Sequence, residues 1–242
     1  MNGCVTYRGP SRINGEPIML VLSGLVKPST NVKTGSMVQT YILADNGKRP
    51  YENVFAGTDV SICGDCPHRY AHMGTCYVNT LHGPDAVYRA VARGTYPEIP
   101  LKNAASLLTT KMVRLGCYGD PAAVPLSVWR TLLRHASAWT GYTHQWRRPF
   151  AKGLSKWCMA SVESEADAEL AKQRGWRTFR VRSSKSPKMK SEVICPASAE
   201  AGKRLTCEKC GACSGGDANK ASVTIIGHGS PWKTKRLELM LV

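Results

Sequence analysis

The stretch MASVESEADAELAKQRGWRTFRVR, Met159–Arg182, decides how the chain is read. A short run of small and apolar residues leads to Ser164, a good helix N-cap, with Glu165 and Asp167 in the first turn where the helix dipole favours negative charge. Gly175 stands at the C′ position, where a left-handed residue ends a helix, and β-branched and aromatic residues follow. This spacing predicts a strand over Trp157–Val162, a helix over Ser164–Arg174 and a strand over Arg177–Val181. Such a unit belongs to a parallel sheet.

The same alternation extends in both directions. Helices are expected at Pro84–Arg93, Leu101–Thr109 and Pro125–Ala136, and strands at Met112–Cys117, Ala138–Thr143 and Ser222–Gly227. The first sixty residues read differently, with aliphatic and β-branched runs at Ile18–Val26 and Val38–Ala44 separated by turn formers at Asn31–Gly35 and Asp45–Gly47. The expected organisation is therefore a β-rich segment over 1–60 and an α/β, barrel-like unit over 61–242, packed as one compact body. Arg182–Ser191, rich in Ser and Lys, is expected to be an exposed loop.

Composition narrows the function. With 242 residues, 43% of them hydrophobic, the chain has enough apolar material for a full core. Its aliphatic runs fall short of the roughly 20 residues that cross a bilayer, so no membrane partner is expected. Met1–Gly15 carries no apolar run behind a basic one, so no secretory leader is read and a reducing, cytoplasmic setting is the expectation. In that setting ten cysteines point to metal binding or redox chemistry before disulfides. The net charge of +16, from 33 basic and 17 acidic residues, attracts phosphate polyanions, and a nucleic acid or nucleotide is the expected partner. A solvated basic face with no specific ligand is the plain alternative.

The cysteines fall into two groups. The first is Cys63-Gly-Asp-Cys66-Pro-His, with Cys76 after nine further residues; the two-residue gap lets both sulfurs of a tight turn reach one centre. His68, His72 and His82 lie nearby as candidates for a fourth ligand. The second is Cys195-Pro and then Cys207-Glu-Lys-Cys210-Gly-Ala-Cys213-Ser-Gly-Gly, whose Cys-x-x-Cys-x-x-Cys run is similar to the thiolate loops of bacterial-type ferredoxins. These seven residues are the expected metal ligands. An iron–sulfur cluster and zinc both remain open: four cysteines of the second group suffice for a closed zinc site, while three in the first match a 4Fe–4S cluster with one open iron. Cys4, Cys117 and Cys158 fall singly, and Cys117 and Cys158 read as small hydrophobes in strands.

Strand ends supply the remaining candidates, because α/β sites form at the carboxyl ends of parallel strands. Asp120 follows the Met112–Cys117 strand, Tyr142 and His144 end the next, Glu163 follows the third and Arg180 closes the fourth. These five are expected to bind substrate. No nucleophile–base pair or phosphate-binding loop stands out, and the sequence names no reaction.

The order of parts, a Cys-x-x-Cys loop with a later Cys-Tyr, strands ending Gly-Asp and Gly-Tyr-Thr, a strand–helix–strand unit and a terminal Cys-Pro…Cys-x-x-Cys-x-x-Cys, is similar to that of Cys-rich phage and mobile-element proteins, which resemble the radical-SAM superfamily in layout. The resemblance spans Ser61–Ser214. It implies a partial (β/α) barrel, a cluster at the strands' carboxyl ends, S-adenosylmethionine as a ligand and an enzyme acting on a nucleotide or nucleic acid in a bacterial host. Two departures stand against the S-adenosylmethionine reading: that superfamily's Cys-x-x-x-Cys-x-x-Cys spacing is not found here, and no Gly-Gly-Glu-like segment follows the first group. The alternative is a zinc-stabilised nucleic-acid-binding protein without catalysis.

Overall fold

A computed structural model describes residues 1–216 and 220–240; the expected unit over 61–242 thus includes a few positions outside them. One sheet of nine strands organises the molecule, in the order β1-β2-β3-β4-β5-β6-β7-β9-β8, and it does not close on itself. The N-terminal strands β1 (Gly3–Pro10), β2 (Pro17–Ser23) and β3 (Val38–Ala44) form an antiparallel meander. β1 carries a weak local signal, since Gly3, Gly9 and Pro10 dilute its β-forming residues; it forms because β2 offers it a buried aliphatic edge.

From β3 onward every pairing is parallel. β4 (Met112–Tyr118) lies beside β3, followed by β5 (Ala138–Thr143), β6 (Met159–Val162), β7 (Thr178–Arg182), β9 (Ser222–Ile226) and the edge strand β8 (Glu192–Ile194). The β-rich segment is thus continuous with the α/β unit. The long connection from β3 to β4 carries α1 (Pro50–Ala56), α2 (Val60–Cys63), α3 (Gly83–Ala92) and α4 (Leu101–Ser106). α5 (Leu126–Leu132) joins β4 to β5, and α6 (Glu165–Gln173) joins β6 to β7 with the Ser164 hydroxyl accepting from the Asp167 amide, as the sequence predicts. α7 (Cys207–Cys210) and α8 (Pro231–Met240) were not expected; α7 is a single turn capped by Thr206.

β4 to β7 are added one after another in a single direction. Right-handed crossovers then place the connecting helices on one face of this part of the sheet. That face holds the main core, in which Leu115, Trp129, Leu132, Val162 and Ala171 are all buried. The opposite face keeps its own smaller apolar cluster, where Met159, Val223 and Ile225 pack with Cys195 and Cys213. Among the described residues no helix is long and apolar enough to cross a membrane.

The edge strand β8 is tied down by charge. Arg180 donates from Nε and Nη2 to the two carboxylate oxygens of Glu192, each at 2.7 Å, with both side chains buried. A bidentate pair of this kind withstands burial, whereas either partner alone does not. Glu192→Ala should therefore cost about 3–5 kcal/mol in urea denaturation, and pairing Arg180→Met with Glu192→Leu should recover most of that loss.

Candidate metal centre

A cavity of about 420 Å³ opens on the sheet face opposite the helices. Its walls come from alternate residues of successive strands: Arg114 and Gly116 on β4, Thr140 and Tyr142 on β5, Ser161 on β6, Phe179 and Val181 on β7, and Val223 and Ile225 on β9. Registers align them in rows, Arg114 with Thr140, and Ser161 with Phe179 and Val223. Both cysteine groups reach this cavity, so Cys63, Cys66, Cys76, Cys195, Cys207, Cys210 and Cys213 all line it.

The first group is fixed by an arginine inside its own loop. Arg69 donates to the carbonyls of Gly64 at 3.0 Å and Gly57 at 2.8 Å and to Asp59 Oδ1 at 2.5 Å. Gln145 Nε2 donates to the Cys63 carbonyl, and the Cys76 amide donates to the His68 carbonyl. The second group is held at three places: the Cys195 amide donates to Thr224 on β9, the Cys207 amide to Lys33, and the β5 amide of Gly141 to the Cys213 carbonyl. The Tyr142 ring centroid lies 4.4 Å from that of Phe179. Burial pushes the Cys63 thiol well above its ordinary value and Cys213 up to about 12. A thiol so placed stays neutral until a cation compensates its charge.

The strand-end candidates separate into two sets. Tyr142, His144 and Asp120 all line the cavity. The Asp120 carboxylate is engaged within the fold, accepting from the Ala122 amide, the Thr143 hydroxyl and the His144 amide at 2.7–2.9 Å. Gly116 and Gly119 bracket the turn leading to it, both at positive φ, and a Cβ on Gly119 would stand 2.7 Å from the Ile42 Cβ. Glu163 meets His144 and His68 at one point: its Oε1 lies 3.1 Å from His144 Nε2 and 3.0 Å from His68 Nε2. Burial alone would lower the His144 pKa, but Cys66 and Glu163 outweigh it and hold the ring well above its usual value. Burial would likewise raise Glu163, and the two histidines hold it well below the usual carboxylate range.

Arg180 does not line the cavity. Phe179 and Val181 face the cavity, so the residue between them points to the other side of the sheet and pairs with Glu192. Conversely, the sequence reading set Cys117 aside, and the structure places it on the cavity wall beside Arg114. Arg114 is itself 8% exposed, donates to Tyr77 Oη at 2.9 Å, and makes no ion pair among the described residues. No local signal marks Arg114 or Phe179, because the period of two fixes which residues of a strand share a face and not which face is inward.

Comparisons with protein-family models, with curated proteins and with solved structures give no match to this chain. The site's chemistry rests on its own geometry.

The Asp120 corner can be tested by itself. Asp120→Ala removes the acceptor from three buried donors and should cost about 1–3 kcal/mol in urea denaturation; Asp120→Asn, which still accepts through one oxygen, should lose less than half as much.

Proposed function

We propose that this chain is an iron–sulfur protein in which Cys195, Cys207, Cys210 and Cys213 hold one 4Fe–4S cluster and Cys63, Cys66 and Cys76 hold a second through three of its irons. The observation that carries the reading is the convergence of both thiol groups on one cavity over the sheet face opposite the helices. The Cys-x-x-Cys-x-x-Cys run at Cys207–Cys213, followed by Gly215 and Gly216, favours clusters over single zinc ions, because such glycines let the backbone approach inorganic sulfide. On a cluster each thiolate takes its own iron.

The cavity wall also has donors and acceptors to offer. Tyr118 Oη and Thr140 Oγ1 are buried on it without a hydrogen-bond partner, a state that buried polar groups rarely keep in a complete site. An iron–sulfur centre supplies one-electron chemistry, and an iron without a thiolate offers a position for a ligand. Arg114, buried on the cavity wall with no carboxylate partner among the described residues, would orient an anionic ligand there and offset thiolate charge. With Lys33 beside it and a net charge of +16, the favoured ligand carries phosphate or carboxylate, which keeps a nucleotide or nucleic acid as the partner. The one-directional order of β4 to β7, with side chains filling the face away from the helices, fits a partial barrel. A reducing cytoplasm is the compartment in which these thiols would stay available.

Protein purified without oxygen should contain iron and acid-labile sulfide at about eight each per chain, four per cluster. Cys207→Ser and Cys66→Ser should each remove about four of each. Stoichiometric zinc without sulfide overturns the reading and leaves a zinc-stabilised, non-catalytic protein. S-adenosylmethionine binding is then measured by equilibrium dialysis on the cluster-loaded protein.

A further inference from the structure

His68, His144 and Glu163 form a donor set of a different kind from the thiols around them. His68 comes from the turn after α2, His144 from the end of β5 and Glu163 from the end of β6, so three separate segments deliver them to one point. The two Nε2 atoms lie 3.0 and 3.1 Å from Glu163 Oε1, and all three ligand atoms lie within 4.8 Å of one another. Around a zinc or iron ion at about 2.0–2.2 Å, neighbouring ligands of a tetrahedral or octahedral site stand roughly 2.9–3.5 Å apart. The two nitrogen-to-oxygen separations have that spacing, and the two nitrogens lie within 4.8 Å of each other.

The orientation of the rings points the same way. Thr75 Oγ1 lies 2.7 Å from His68 Nδ1, which leaves Nε2 as the nitrogen turned to the shared point, the arrangement that outer partners impose on a ligating histidine. The His144 backbone is held by its amide on Asp120, and its ring turns Nε2 to Glu163. The side chains of His68, His144 and Glu163 are 12%, 21% and 16% exposed, and the two histidines and Thr75 lie on the cavity wall. Two imidazoles and one carboxylate with a free side are a donor set for non-haem Fe(II) or catalytic Zn(II), harder than the thiolate groups nearby.

We propose that His68, His144 and Glu163 bind one divalent first-row metal ion, distinct from the thiol-held metal, with its open coordination position directed into the cavity. This holds whether the thiols carry iron–sulfur clusters or zinc. The rival arrangement is a metal-free His–Glu–His hydrogen-bonded relay.

The test uses the full chain purified without oxygen, freed of loosely held metal by brief chelator dialysis and titrated with Co(II). The expected result is one cobalt per chain with visible ligand-field bands and no sulfur-to-cobalt charge-transfer band in the near ultraviolet. His68→Ala and Glu163→Gln should each weaken cobalt binding by more than tenfold, and Thr75→Val by about tenfold. Glu163→Gln keeps the side chain's volume and a hydrogen-bond acceptor, so a loss there does not reflect misfolding. Equal cobalt affinity in the native chain and in the doubly substituted His68→Ala, Glu163→Gln chain overturns the proposal and leaves the relay; so does a charge-transfer band that disappears in Cys66→Ser. Iron and sulfide measured on the same samples report the thiol-held centres separately, so cobalt binding without iron or sulfide would sink the cluster reading and keep this one.

Discussion

The strict alternation of side chains along parallel strands is the constraint on which the rest of this structure depends. Because β4, β5, β6 and β7 are added in one direction, their crossovers lie on one face and the other face is left to be covered by something else. Loops do this here, and those loops carry the thiols. The inward rows built from Arg114, Tyr142, Ser161 and Phe179 form the floor beneath them. A one-residue slip in any strand would carry these side chains into the helix layer and empty the floor.

Charge is distributed in keeping with that geometry. Two buried arginines that do not line the cavity are matched by carboxylates, Arg180 with Glu192 and Arg69 with Asp59. Inside the cavity the pattern reverses: Arg114 faces Tyr77, Tyr142 and thiols, and its counter-charge would come from thiolates or from a bound anion. Burial raises the thiols of Cys63 and Cys213, and Arg114 has no carboxylate partner among the described residues, so the proposed loading of these thiols would change their protonation. Metal uptake there would release protons, and the arginine would hold the resulting negative charge in place.

The two thiol groups are anchored in different ways, which bears on how each would respond to loading. The first is clamped by Arg69 and Asp59 and by contacts to Gln145, all within the body of the fold. The second is a short loop with one helical turn, tied to β5, β9 and the segment around Lys33 mainly by backbone hydrogen bonds. A small apolar cluster of Met159, Val223 and Ile225 beneath Cys195 and Cys213 gives it little core of its own.

The sequence by itself determined the α/β class, the parallel units and the Ser164-capped helix, because N-caps, C′ glycines and hydrophobic periods are local signals that survive packing. It also determined the grouping of the cysteines, since a two-residue gap is itself a geometric statement. Only the tertiary structure decided what those groups face and who joins them. Arg180 and Phe179 are adjacent in the chain yet lie on opposite sides of the sheet, and that depends on a strand phase set by neighbouring strands. His68 and Glu163 are 95 positions apart, and no local pattern announces that both will meet His144 at one oxygen. Local physics chose the elements; the register of the sheet chose the site.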